Sequence, residues 1–495
     1  MAGRTALVLG DQLSHANPAL EGADRVLIVE SRAKLAGGRF HRQKLHLVLS
    51  AMRHFAAELR ERGVEVDLRR AETFAEGIAA HRGAHGSDEI RVLEPHSVGG
   101  RARLSALDGV SLTTGTLFLT HPGEFAEWAS DRRRLVMEDF YRWQRRRLDV
   151  LLDGDEPAGG EWNYDHDNRR PPPRDRRPPK PYAPREDEID EQVRRDLDEL
   201  GLETFGHDRP RRWPATHAEA RRALKRFVDH KLAEFGPWQD AMLQGERWMW
   251  HAGLSSSLNL GLISPLECVR AAEQAYRSGA APIASVEGFV RQVIGWREYV
   301  WGIYWLRADE WAGMNALKAD ADLPEVLWGA ETEMRCLADA VGGLEETAYA
   351  HHIERLMLFG NLILLLGVRP DQAFDWFHQA YIDGYEWVMA PNVLGMATYA
   401  DGGRMMTKPY AASGRYIDRM SDHCQGCRYD PTQRTGEDAC PFTTLYWDFI
   451  ARNRERLAPN NRMNMPLANL ARIEAAELEQ IRSAGASCAS TSTRD

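Results

Sequence analysis

Over the first 120 residues, short apolar runs alternate with amphipathic stretches. Thr5–Gly10, Val26–Glu30, Val64–Leu68, Ile90–Glu94 and Thr116–Leu119 read as strands. Between the second and third, Leu45, Val48, Leu49, Met52, Phe55, Ala56 and Leu59 recur at helical spacing. This alternation predicts an α/β domain over residues 1–150, a doubly wound parallel sheet with right-handed crossovers. Such sheets take ligands at the carboxyl ends of their strands, so the loop Gly10-Asp11-Gln12-Leu13-Ser14 and the turn Glu30-Ser31-Arg32 are the natural contacts. No G-x-G-x-x-G follows the first strand, and a dinucleotide fingerprint is absent.

The pattern then changes. Eight prolines between Pro157 and Pro184, with interspersed arginines and glycines, exclude an interior helix or central strand. Residues 151–190 read as an interdomain connector in which Trp162, Asn163 and Tyr164 offer large groups to bury. From 191 to 480 helical periodicity dominates, giving an all-α domain, and 481–495 read as a disordered Ser/Thr-rich tail holding Cys488.

A chain of 495 residues exceeds one ordinary hydrophobic core. With 63 basic and 73 acidic residues the net charge is -10, which excludes a protein coated in basic surface but not a local nucleic-acid groove. Basic density gathers at Arg169 to Lys180, at Arg211, Arg212, Arg221, Arg222, Lys225 and Arg226, and at Arg452, Arg454, Arg456 and Arg462. Taken singly, each cluster reads as a solvated face. No run approaches the roughly 18 apolar residues of a spanning helix, and the start lacks an apolar leader; the expectation is a cytoplasmic monomer with no membrane partner.

Cys336, Cys424, Cys427 and Cys440 form a C-x2-C pair with two outlying partners, and Pro441 follows the last. Four thiolates complete the ligand set of a [4Fe–4S] cluster, and a proline after the final cysteine recurs in such runs. A structural zinc site uses the same ligands and remains open, although zinc ligands usually come as two short pairs and Cys336 stands alone. Cys268, in an apolar helical stretch, reads as a small buried hydrophobe.

Leu254-Ser-Ser-Ser-Leu-Asn-Leu-Gly-Leu-Ile-Ser-Pro265 resembles the L-S-x-x-L-x-x-G-x-L/I-S-P stretch of photolyases and cryptochromes, and Trp296-Arg-Glu-Tyr299 their W-R-E-F/Y helix. With the two-domain pattern and the four cysteines, the chain resembles the iron–sulfur bacterial cryptochromes and prokaryotic (6-4) photolyases along its whole length. Gly160 to Asp165, His351 to Met357 and Tyr385 to Met396 are the most specific stretches.

The resemblance implies FAD in the helical domain, near Ser255, Ser256, Ser257, Arg297, Asp383 and Asn392. Serines before a helix supply hydroxyls and free N–H groups for phosphate, or serve as plain helix caps. It places His351, His352, Tyr410 and Tyr416 in a lesion pocket. Adjacent histidines on a helix point roughly 100° apart, so one faces the pocket and the other supports it. Histidine can hold or release a proton near neutral pH, as lesion repair requires. Trp328 and Trp376 match positions that relay electrons to the flavin, whereas Phe377 stands where the family often has tyrosine. The antenna, 6,7-dimethyl-8-ribityllumazine by resemblance, is expected near Asp11, Gln12 and Glu30.

The implied activity is light-driven repair of UV-damaged DNA carrying (6-4) photoproducts. A blue-light photoreceptor without repair, a cyclobutane-dimer photolyase, and a cluster-bearing DNA-binding protein without photochemistry are the alternatives.

Overall fold

The computed structural model describes residues 3–86 and 89–491. Its N-terminal part is a parallel sheet of β1 (Arg4–Val8), β2 (Arg25–Ser31), β3 (Glu65–Ala71), β4 (Glu89–Leu93) and β5 (Val110–Thr113), in the order β3-β2-β1-β4-β5. Both faces are apolar, as a parallel sheet requires. Leu7, Leu27, Val29 and Val92 pack on one side against Ile78 and Leu104. Ala6, Val8, Val26 and Ile28 pack on the other against the helix Arg42–Glu61. The chain order reverses between β1 and β4, and there the crevice of a doubly wound sheet opens.

The fifth strand corrects the sequence reading. Thr116–Leu119 is not a strand; Val110–Thr113 pairs with β4 instead. The apolar character of 116–119 comes from the helical region, where Phe118 stacks on Trp301 with ring centroids 3.9 Å apart.

The connector carries no long element. Its Trp162 lies under the guanidinium groups of Arg145 and Arg146, at 4.8 and 4.7 Å. Tyr164 is buried, its N–H donating to Glu287. The remainder is helical, and Cys268 is fully buried within it. Residues 481–491, expected to be disordered, continue the helix Ala475–Thr491, and Cys488 lies on it; 492–495 fall outside the described residues. No helix among the described residues is long and apolar enough to cross a membrane.

Lys44, on the helix Arg42–Glu61, ties the two parts together. Its buried ammonium donates to the carbonyls of His378 and Gly384 at 2.6 and 2.5 Å, bracketing the segment that carries Asp383.

Candidate functional site

The helical region encloses a cavity of about 430 Å³. Three π-helical stretches shape its wall: Arg291–Arg297, Arg355–Gly360 and Ala390–Ala397. Trp296 and Arg297 come from the first, Arg355 and Leu356 from the second, Asn392 and Met396 from the third. A π turn inserts an extra residue and re-aims the side chains around it, which is why such turns concentrate at functional sites. Periodicity in the sequence gives no sign of them.

Four of the six residues expected around a flavin, Ser255, Arg297, Asp383 and Asn392, line this cavity. Ser256 and Ser257 lie directly behind, buried, with hydroxyls that meet no partner. Asp383 accepts from Arg355 Nη1 at 2.8 Å. Burial raises its pKa, but the Arg355 charge and hydrogen bonds from Arg355 and Ser255 outweigh that, and the carboxyl sits below its usual range. Arg297 donates to Glu298 at 2.9 Å and lies 4.0 Å over the Phe118 ring; its Nε has no partner. Buried polar atoms are nearly always satisfied. Unpartnered donors beside a roomy cavity with apolar walls fit a ligand that combines phosphate oxygens with a flat ring system.

The histidines divide the work. His352 is exposed to the cavity, where desolvation by its walls and then the Arg355 charge bring its pKa down to about 4. His351 is fully buried behind the wall and stacks on His251, ring centroids 4.9 Å apart and planes 14° apart. Tyr410 lines the cavity; Tyr416 does not, but lies close enough to Tyr410, Asp240 and Arg169 for their charges to act on it. Burial pushes the Tyr416 hydroxyl up to about 12. His251 and Arg355 were missed in the sequence, although His251 stands four residues before the serine run.

Trp376 is fully buried, and its indole donates to the carbonyl of Leu327, the neighbour of half-buried Trp328. Next to it, 4.7 Å between centroids, Phe377 reaches the cavity wall. The three aromatics thus run from the protein's outer layer to the cavity.

The fold brings the four distant cysteines together. Burial first, then the proximity of Cys440, Cys424 and Cys427, push the Cys336 thiol far up. Burial, Asp418, Cys440 and Cys427 push Cys424 up to about 12. A bound cation reverses such shifts and deprotonates its thiols. Gly414 leaves room for the sulfur, since a Cβ there would stand 2.7 Å from Cys440 Sγ. Among the described residues, the sets of three potential metal ligands with donor atoms within 4.8 Å of one another are His/carboxylate groups, and no three of these thiols form one.

At the sheet, Asp11 and Gln12 stand at the reversal point. Asp11 pairs with His96 at 3.2 Å, and Gln12 donates to the carbonyls of Leu93 and Glu94. Glu30 is held by Arg53 through two hydrogen bonds of 2.7 and 2.9 Å. The helical region covers this edge: Leu13 N–H donates to Leu260, and His96 abuts Trp301.

The basic clusters separate as well. Arg211 is no free surface charge; it is 3% exposed, locked between Asp190 and Glu219 at 2.8 Å each. Arg452 donates to the carbonyls of Leu365 and Leu366. Arg169 lies at the cavity, its side chain half exposed, paired with Asp165 and Asp240.

A family model described as deoxyribodipyrimidine photo-lyase-related protein matches residues 6–213. Over 482 residues, 94% of this chain and 95% of the other, the sequence is 42% identical to the (6-4) photolyase of Agrobacterium fabrum. A shorter stretch of 100 residues, 20% of this chain and 74% of the other, is 32% identical to the uncharacterized protein R855 of Acanthamoeba polyphaga mimivirus. In fold it is similar to the crystal structure of a bacterial class III photolyase from Agrobacterium tumefaciens, with TM-score 0.59, 16% identity, and 99% and 98% of the two chains covered.

Proposed function

The chain belongs to the deoxyribodipyrimidine photo-lyase-related family, and from that premise we propose that it is a DNA photolyase that reverses (6-4) photoproducts in light. The observation that carries this reading is the 42% identity to a (6-4) photolyase over 94% of the chain, combined with a cavity that presents His352 and Tyr410 beside unpartnered phosphate-binding groups. FAD would fit the cavity, held by Ser255, Arg297, Asp383 and Asn392 of its lining, with Ser256 and Ser257 behind them. When bound it supplies the light-absorbing electron donor.

The protein's own residues then have distinct tasks. A damaged base pair is the least costly to open, by a few kcal/mol in general, and the exposed arginines near Arg169 hold the flanking phosphates in a salt-dependent grip. His352 touches the lesion and moves a proton at its imidazole, Tyr410 orients the lesion through its hydroxyl with Tyr416 beside it outside the cavity lining, and Trp328 and Trp376 pass electrons inward.

The four thiols hold a [4Fe–4S] cluster in this reading. A zinc ion would use the same four sulfurs; the lone position of Cys336 and the proline directly after Cys440 support the cluster instead. Its role is structural, pinning the helix Arg335–Thr347 to the segment 424–440. Lumazine is assigned to the loop at Asp11 and Gln12, and the crowding of thiols into one site supports a reducing, cytoplasmic location.

The test is illumination of anaerobically purified, chemically reduced protein with oligonucleotides bearing a (6-4) photoproduct or a cyclobutane dimer, with products separated chromatographically. Restoration of the (6-4) substrate alone is expected. Restoration of neither, with flavin present, would replace repair by light sensing; iron and sulfide assays on the same sample check the cluster.

A further inference from the structure

In and behind the cavity wall three imidazole nitrogens have no partner: Nε2 of His251, which lines the cavity, and both Nδ1 and Nε2 of His351 behind it. Each is buried, where polar atoms nearly always have a partner. Two share the His351 ring, and the third belongs to the ring stacked on it. His251 lines the cavity and stacks on His351, and the Nε2 of His351 lies 3.6 Å from Oε2 of Glu354. Glu354 is 2% exposed and also accepts the backbone N–H of His351 at 3.2 Å. A polar thread therefore leads from an enclosed carboxyl to the cavity, parallel to the route through His352.

Building on the repair reading, we propose that Glu354, His351 and His251 form a buried proton reserve for the cavity. Glu354 stores the proton as a carboxylic acid; burial, opposed by Arg247 and Arg355 and aided by Asp339, brings its pKa up to about 8. Tyr349 and Tyr381 also face it, and both hydroxyls are themselves pushed up by burial. The imidazoles stay neutral at pH 7: burial first, then neighbouring charges, lower His251 to about 3 and hold His351 well below its usual range. Neutral imidazole carries one N–H and one lone pair, the form a relay needs. The proton of Glu354 passes to Nε2 of His351 as the Nδ1 proton of His351 leaves toward His251 and the cavity. Because the stacked rings hold their N–H bonds in their own planes, transfer between them runs through a bridging water in this proposal. One proton reaches the lesion and Glu354 becomes a carboxylate. When the lesion has split the proton returns, so the cycle has no net uptake.

Glu354 and His351 act through other groups, so they are positioning residues, and the test must separate relay from scaffold. The comparison is wild type, Glu354→Gln, Glu354→Asp and His251→Gln, each fully reduced with flavin bound, measured for lesion-oligonucleotide affinity and for repair per absorbed photon between pH 6 and 10. We expect unchanged affinity, a yield about tenfold lower in Glu354→Gln and His251→Gln, partial rescue in Glu354→Asp, and a wild-type fall in yield near pH 8 that Glu354→Gln lacks. Infrared difference spectra should show a protonated carboxyl band in the dark wild type that Glu354→Gln lacks, a signal independent of repair. Equal yields and pH profiles across the four proteins, or no such band, would overturn the reserve. A wild type that shows the band yet repairs no lesion would refute the repair reading instead. If Glu354→Gln does not fold, His251→Gln decides on the same criteria.

Discussion

At the edge of the sheet nearly every charged group has found a partner, whereas in the wall of the helical cavity several polar atoms have none. Glu30, Arg53, Asp196 and Arg70 form one closed ion network, and Asp11 is matched to His96. Ser256, Ser257, Arg297 Nε and the His351 ring remain open. Both regions sit where a ligand was expected from the sequence; the Glu30 network is closed, whereas the cavity wall, and on a smaller scale Gln12 Oε1 and His96 Nε2 beside Asp11, keep hydrogen-bonding capacity that a ligand would complete. Self-sufficiency marks a structural region, and unmet polar demand marks a binding one.

The largest effect should come from opening the closed network. Arg53→Met leaves Glu30 and Asp196 buried with only half-exposed Arg70 between them, and removing one partner of a buried pair costs about 3–5 kcal/mol. Urea unfolding should show that loss with cavity ligand binding intact. Unchanged stability would mean that the sheet edge is not closed by this pairing.

Next is the reverse experiment at the cavity. Ser256→Ala with Ser257→Ala removes hydroxyls that satisfy nothing in the empty protein, so apo stability should hold or rise slightly. Each lost hydrogen bond to a charged ligand is worth about 1.5–3 kcal/mol, so flavin affinity should drop by about tenfold or more per serine. Fluorescence titration of apo protein reads it; equal destabilisation of apo and loaded forms would count against a phosphate role.

A smaller effect belongs to Lys44, which joins the two regions. Burial first, and the charge of Lys34 second, bring its pKa from 10.5 down to about 7, with Asp383 acting the other way. Between pH 7 and 10.5 the unfolded chain then binds more protons at this position than the folded one, so Lys44 makes stability rise with pH across that window. Lys44→Met should flatten that slope and loosen the segment bearing Asp383, seen as faster flavin release.

Much of this was legible in the sequence, for reasons that can be located. β1 and β2 declared themselves because strands buried on both faces are continuous apolar runs. The helix Arg42–Glu61 declared itself through its stripe. Thr116–Leu119 misled because a loop that packs Phe118 on Trp301 looks apolar for a tertiary reason. Arg211 looked like surface because Asp190 and Glu219 reach it only in the fold. The split between His351 and His352 was expected from helix geometry, but its cause is different: His351 is the extended residue (φ -73°, ψ 165°) that caps the helix starting at His352, and the sequence did not show which one faced the cavity. The π turns at 291–297, 355–360 and 390–397 had no pattern to read.

The smallest expected effect tests whether the aromatic route into the cavity is complete. Phe377 separates Trp376 from the cavity and lacks a phenol, and the nearest one is Tyr381, stacked on Phe377 at 5.3 Å and 5.5 Å from Trp376. Tyr381 is a poor substitute on two physical grounds. Its hydroxyl is buried with no acceptor to take a proton, and the Arg355 guanidinium lies 4.3 Å over its ring, opposing any positive charge there. On the proposed electron route Trp376 then carries the oxidising equivalent itself. Phe377→Tyr should therefore speed light-driven flavin reduction several-fold in the presence of an external donor, while repair by chemically reduced protein stays unchanged. Trp376→Phe should stop that photoreduction and likewise spare repair. If Phe377→Tyr changes nothing and Tyr381→Phe slows photoreduction, the buried phenol carries the electron despite its surroundings, and the open polarity of the cavity wall extends one residue deeper than the ligand needs.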